Sequence, residues 1–199
     1  MRVPGVEVTS FGPEGPPGSG RVGTAIVLPG RAYPPAAPLL WFATAALRQH
    51  GWGVEHVWWH APGHHGDAGH YGWVADQLLD HLPASGRVLV VGKSLGTLAA
   101  PVAAERGYDG LWLTPLLQEE AVVEALAANP ARQLLVGGLA DRHSWRSDVA
   151  DRLAGQGCDV VEVPDADHGM HAAGDAVRSA EILVEVTRAM DTWLAGPAL

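Results

Sequence analysis

The pentapeptide Gly92-Lys93-Ser94-Leu95-Gly96 holds the residues best suited to chemistry. It reads G-x-S-x-G and follows an apolar run, Val88-Leu89-Val90-Val91, with a small-residue segment behind it that is predicted to be helical from Leu95 to Glu105. In strand–turn–helix context such a turn is so tight that the serine takes a strained conformation and is pushed out at the top of the sheet. Side chains at the flanking positions would collide with the neighbouring strand and helix, so both are glycine. The helix would aim its positive end and its free N–H groups at the reaction centre. A serine hydroxyl is a poor nucleophile until a base removes its proton during attack, so the chemistry predicted is nucleophilic catalysis with a partner base elsewhere in the chain. A plain turn with a surface serine accounts less well for that context. Gly92-Lys93-Ser94 could also end a phosphate-binding loop of the form GxxxxGK[ST]. That motif requires glycine at 87, where the chain has Arg87, with Gly86 one residue out, and Val88–Val91 reads as strand, so spacing and context exclude it.

Other chemistry-bearing residues are less ordered in their spacing. Trp58-Trp59-His60-Ala61-Pro62-Gly63-His64-His65-Gly66-Asp67-Ala68-Gly69-His70 is rich in histidine but matches neither H-E-x-x-H nor a Cys/His zinc pattern, so no metal is expected. It reads as a Gly-rich loop near the mouth of a site, with Trp58 or Trp59 packed in the core. The single cysteine, Cys158, cannot form an internal disulfide and has no cationic neighbour in sequence, so it reads as structural.

The elements that must position these residues alternate. Strands are predicted at Val22–Leu28, Val54–Trp59, Arg87–Val91, Gly110–Thr114, Gln133–Val136 and Asp159–Val163. Helices are predicted at Leu39–His50, Gly72–His81, Leu95–Glu105, Glu119–Ala128, Trp145–Ala154 and Ala176–Leu194. Val6–Thr9 reads as an added antiparallel edge, and Gly12–Gly20 as a hairpin-like loop. Alternation of this kind implies an α/β fold, a mostly parallel sheet of about six to eight strands with helices on both faces. The 199 residues suit one domain, 1–199, with its core from about 22 to 194. Apolar residues make up 47% and charged residues 18%, which excludes a wholly disordered chain. Thirteen Lys+Arg against 22 Asp+Glu leave a formal charge of −9, which argues against nucleic acid or an anionic membrane as partner. Met1–Glu7 lacks the apolar run of a signal peptide, and no run approaches the ~20 residues that span a bilayer, so the expected location is the cytoplasm. Of eight tryptophans, Trp41, Trp52, Trp112, Trp145 and Trp193 are expected in the core or an interface.

On these residues the chain resembles the α/β-hydrolase superfamily, in its small lid-less, dienelactone-hydrolase- or esterase-like form, from about Val22 to Leu194. The resemblance rests on chain order: a nucleophile after the third long core strand, then an acid, then a histidine. It implies Ser94 as nucleophile, Asp141, 47 residues on, as acid, and His168, a further 27 on, as base. Asp141 follows the strand Gln133–Val136, and His168 lies in Pro164-Asp165-Ala166-Asp167-His168-Gly169-Met170 after the last strand. Ser144 is the expected cap of the following helix, which leaves Asp141 free. Asp165 and Asp167 are neighbours that cap the loop or compete as the acid, and His143 is a weaker alternative base. The resemblance also implies an oxyanion hole. One donor is the Leu95 N–H. The other comes from the loop Leu28-Pro29-Gly30-Arg31-Ala32-Tyr33, where the superfamily usually has His-Gly and this chain has Pro29-Gly30, so the Arg31 N–H is expected.

Gly30, Tyr33 and Lys93 are expected to touch the substrate, and Lys93 and Arg31 as cations would favour one bearing a carboxylate. Only 18 residues separate the strands Gly110–Thr114 and Gln133–Val136, too few for a cap domain, so an open site for small soluble substrates is expected. The expected reaction is cleavage of an ester or thioester without a cofactor, as in a carboxylesterase or thioesterase. The other class to weigh is a non-hydrolytic protein of the same fold, a binding module or a lyase or cyclase, since one fold hosts many chemistries.

Overall fold

A computed structural model describes residues 7–14, 20–63 and 69–196. Along them run β1 (Glu7–Phe11), β2 (Gly23–Leu28), α1 (Pro38–Gln49), β3 (Trp52–Trp58), α2 (Gly69–Asp80), β4 (Val88–Lys93), α3 (Ala100–Arg106), β5 (Asp109–Leu113), α4 (Glu120–Ala128), β6 (Gln133–Gly138), α5 (Ser147–Ala154), β7 (Asp159–Val163) and α6 (Ala176–Ala195). A 3-10 helix, Ser94–Ala99, joins β4 to α3. The strands form one sheet in the order β1-β3-β2-β4-β5-β6-β7. β1 is antiparallel to β3, and every other neighbouring pair is parallel. The antiparallel edge predicted at Val6–Thr9 lies at Glu7–Phe11. Part of the Gly12–Gly20 loop, residues 15–19, lies outside the described residues.

The central strands are buried along their length because helices cover both faces. Strand alternation then sorts the side chains. Ala25 and Val27 of β2 share a core with Leu40 of α1 and Ile182 of α6, while Ile26 and Leu28 share the other core with helices α2 to α5. Trp52, Trp112, Trp145 and Trp193 are buried as expected, but Trp41 is half exposed and meets the Phe11 ring edge-on at 6.4 Å. Trp59, not Trp58, is the one in the core. The Cys158 thiol is free and buried.

The helix predicted from Leu95 to Glu105 is divided. Pro101 is the cause: it has no N–H to give the Thr97 carbonyl, and its ring clashes inside a continuous α-helix but fits a first turn. The chain therefore tightens into the 3-10 helix and begins α3 at Ala100. Between β5 and β6 stands α4 alone, with no cap domain. Among the described residues no helix is long and apolar enough to cross a membrane.

Candidate active site

The winding of the sheet reverses between β2 and β4. The helix after β2 packs on one face and the helices after β4 on the other. Ligands of open α/β sheets bind in the crevice such a reversal opens beyond the carboxyl ends of the strands. Gly30 follows β2 and Ser94 follows β4 at this place, with Leu28 paired to Gly92.

Ser94 has φ of 50°, the left-handed region, as the tight turn requires. Its flanking glycines have no room for a side chain. A Cβ at Gly92 would lie 2.8 Å from the Gly96 carbonyl oxygen, and one at Gly96 would lie 2.1 Å from that of Leu28. Thr97, which no sequence motif singles out, braces the turn. Its hydroxyl donates to the Ser94 carbonyl at 2.6 Å and accepts from the Leu116 amide at 3.2 Å.

His168 Nε2 is 2.8 Å from Ser94 Oγ, and its Nδ1 is 2.6 Å from Asp141 Oδ2. The other carboxylate oxygen of Asp141 accepts from the amides of His143 at 3.1 Å and Ser144 at 3.0 Å. Ser144 does not cap α5, which begins later, at Ser147 with Arg146 at its N-cap. Burial raises the Asp141 carboxyl, but hydrogen bonds from His168, Ser144 and His143 outweigh it and hold the group below the usual value. An ionised Asp141 makes Nδ1 the protonated nitrogen of a neutral His168 and leaves the Nε2 lone pair facing the serine hydroxyl.

The other acids and bases of this region have different partners. Asp167 Oδ1 accepts from the amides of Gly169 at 2.7 Å and His171 at 3.0 Å, so it closes the His168 loop on itself. Asp165 is exposed, with Arg178 at 3.6 Å. The side chain of His143 is exposed.

A Cβ on Gly30 would lie 3.6 Å from Ser94 Cβ, so the loop after β2 abuts the nucleophile. The Gly30 amide donates to the Tyr33 carbonyl at 3.2 Å, and the Gly30 carbonyl accepts from the Trp59 indole at 3.4 Å. Among the described residues the Arg31 amide donates to no backbone carbonyl. Leu95 stands in the first turn of the 3-10 helix, where N–H groups have no intrahelical acceptor.

The two cations expected to meet substrate both have internal hydrogen-bond partners. The Arg31 guanidinium donates to the Gly63 carbonyl at 2.8 Å and meets His70 Nε2 at 2.9 Å, so it clamps the loop after β3 to the start of α2. Lys93 is 2% exposed, and its ammonium donates to the His168 carbonyl at 3.0 Å. That ammonium also lies 4.9 Å from the centre of the Tyr33 ring, and the Tyr33 hydroxyl accepts from the Leu39 amide at 3.0 Å. Burial raises the Tyr33 phenol, opposed by that amide. Lys93 and the Arg31 side chain thus each tie two segments of the chain together, Lys93 the end of β4 to the His168 loop and Arg31 the loop after β2 to the segment around Gly63 and His70. Among the described residues no cluster of His, Cys, Asp and Glu could hold a metal. Residues 64–68 of the His-rich loop, with His64 and His65, lie outside the described residues.

No family model matches the chain, and no curated protein matches it. Solved structures do. A lid-less α/β serine hydrolase from Xanthomonas campestris is 21% identical, with TM-score 0.69, covering 96% of this chain and 91% of that one. An α/β serine hydrolase homologue from Coxiella burnetii is 16% identical, with TM-score 0.73 and coverage of 98% and 95%. A dienelactone hydrolase from Anabaena variabilis is 18% identical, with TM-score 0.70 and coverage of 98% and 93%. The chain has the α/β-hydrolase fold, in a form without a cap.

Proposed function

We propose that the protein is a serine hydrolase that cleaves an ester or thioester of a small soluble substrate through an acyl-enzyme. The observation that carries this reading is the unbroken line from Asp141 Oδ2 to His168 Nδ1, and from His168 Nε2 to Ser94 Oγ, at 2.6 and 2.8 Å. Ser94 Oγ attacks the acyl carbon while its proton passes to His168 Nε2. The imidazolium, stabilised by Asp141, gives that proton to the departing alcohol or thiol as the acyl–oxygen or acyl–sulfur bond breaks. Water then repeats the attack with His168 as base and frees the acid and Ser94. The Leu95 and Arg31 amides are the donors for the oxyanion. Gly30 keeps their loop against the nucleophile, and Tyr33 shapes its far side. No cofactor enters this scheme.

The hydrolase titles of the structural neighbours support the reaction class. The absence of a cap between β5 and β6 supports small or extended substrates that reach an open site. A binding module reusing the pocket would leave the aligned imidazole and hydroxyl without a task. The test is turnover of p-nitrophenyl esters and acyl thioesters of increasing acyl length. Wild type should turn over, and Ser94→Ala should lose about 10³-fold or more in kcat. Full activity in Ser94→Ala would refute the reading.

A further inference from the structure

We propose that Lys93 is a positioning residue whose buried ammonium ties the backbone of the His168 loop to the end of β4 and so holds the imidazole in line with Ser94. This rests on the roles given above to Ser94, His168 and Asp141. The geometry is specific. Lysine is among the residues least often buried without a partner, yet here it is 2% exposed and forms no ion pair among the described residues. Its ammonium spends one donor on the His168 carbonyl at 3.0 Å, and the face of Tyr33 flanks it at 4.9 Å.

The loop it holds needs an outside anchor at this point. It runs from β7 to α6 through two non-glycine residues of positive φ, Asp165 and Met170. Asp167 closes it internally, and the Ala140 amide ties its start to the Asp141 loop through the Ala166 carbonyl at 2.9 Å. Neither bond relates His168 to the nucleophile. Lys93 does, because it immediately precedes Ser94: one peptide unit separates the tether of the base from the attacking residue. With 2% of its surface exposed, Lys93 faces the His168 loop and Tyr33, not open solvent.

The titratable groups around the ammonium are Tyr33 from the loop after β2, Asp141 from the loop after β6, and Asp167 and His168 from the loop after β7. Burial pulls Lys93 down to about 8, opposed by the charges of Asp141 and Asp167. Raising the pH through about 8 removes the charge that strengthens the hydrogen bond to the His168 carbonyl, so the tether weakens and activity should fall.

The experiment uses the full chain as wild type, Lys93→Met and Lys93→Arg. Two readouts are taken from neutral to alkaline pH: kcat and KM for p-nitrophenyl acetate, and the downfield NMR signal of the His168 Nδ1–H, which needs no turnover. Lys93→Met should lower kcat by about 10²-fold with KM little changed. It should also lack the alkaline loss of activity near pH 8 and weaken the Nδ1–H signal. Lys93→Arg, keeping the charge, should recover part of kcat. Wild-type kcat, pH profile and Nδ1–H signal in Lys93→Met would overturn the proposal, as would a change confined to KM for carboxylate-bearing esters. If Lys93→Met does not fold, Lys93→Gln, uncharged and shorter but still polar, is read in its place with the same two readouts. A lower kcat at unchanged KM together with a weakened Nδ1–H signal in that variant supports the tether, and wild-type values for all three overturn it. A signal that is present in wild type and weakened in the variant, with no turnover by wild type, would sink the hydrolase reading and leave the tether standing.

Discussion

Asp141→Asn would keep the shape of the site and reverse its hydrogen-bond logic. One carboxylate oxygen of Asp141 accepts from two backbone amides, at 3.1 and 3.0 Å. An asparagine must therefore place its carbonyl oxygen there, which turns its NH2 toward His168 Nδ1. That nitrogen must then accept, so the ring proton moves to Nε2 and points at Ser94 Oγ, now 2.8 Å away and unable to hand over its own proton. Loss of the correct tautomer costs about 10⁴ in kcat, or about 5 kcal/mol of transition-state stabilisation at 1.36 kcal/mol per tenfold. The imidazolium also loses the carboxylate that would stabilise it. Because no substrate contact changes, KM should move little. Steady-state kinetics on a p-nitrophenyl ester, with the melting temperature as a check on folding, measures this. An Asp141→Asn protein that retains more than about a tenth of wild-type kcat would refute the claim that Asp141 sets the tautomer.

Four further outcomes are expected. Gly96→Ala must push a Cβ to 2.1 Å from the Leu28 carbonyl, so it should cost about 3 kcal/mol in urea unfolding; a loss of a few tenths would show the turn to be slack. Lys93 binds fewer protons folded than unfolded between about 8 and 10.5, so its contribution to stability should rise with pH across that window, by about 3 kcal/mol. The difference in unfolding free energy between wild type and Lys93→Met reads this, and a pH-independent difference would contradict it. Arg31→Ala should loosen the loop after β3, seen as faster proteolysis near Gly63, without changing the preference between neutral and carboxylate-bearing esters. Burial, with a smaller push from Asp159, raises the Cys158 thiol to about 11, so it should resist Ellman's reagent in the folded protein and react once urea unfolds it.

Much of this architecture is legible in the chain because buried parallel strands leave short apolar runs between helical stripes. The elbow is legible for a sharper reason: the two glycines sit where a Cβ would meet the backbone of Leu28 or Gly96. Other features depend on long-range partners that no local pattern carries. Lys93 reads as a substrate contact, and only the arrival of the His168 loop and Tyr33 beside it makes it a buried support. Arg31 likewise reads as a free cation until the segment around Gly63 and His70 folds over it. Ser144 has the right residue type for a helix cap, but α5 begins only at Ser147, three residues further on. The break at Pro101 was available from the residue itself, since a proline at that depth cannot continue an α-helix begun at Leu95.

Intact-mass analysis of the folded protein after treatment with a fluorophosphonate tests the central claim most directly. A base-activated Ser94 should take up one phosphonyl group, mapped to the peptide containing Gly92–Gly96. Ser94→Ala should take up none, and His168→Ala should react far more slowly. Unmodified wild-type mass under the same conditions, with the fold intact, would contradict the account.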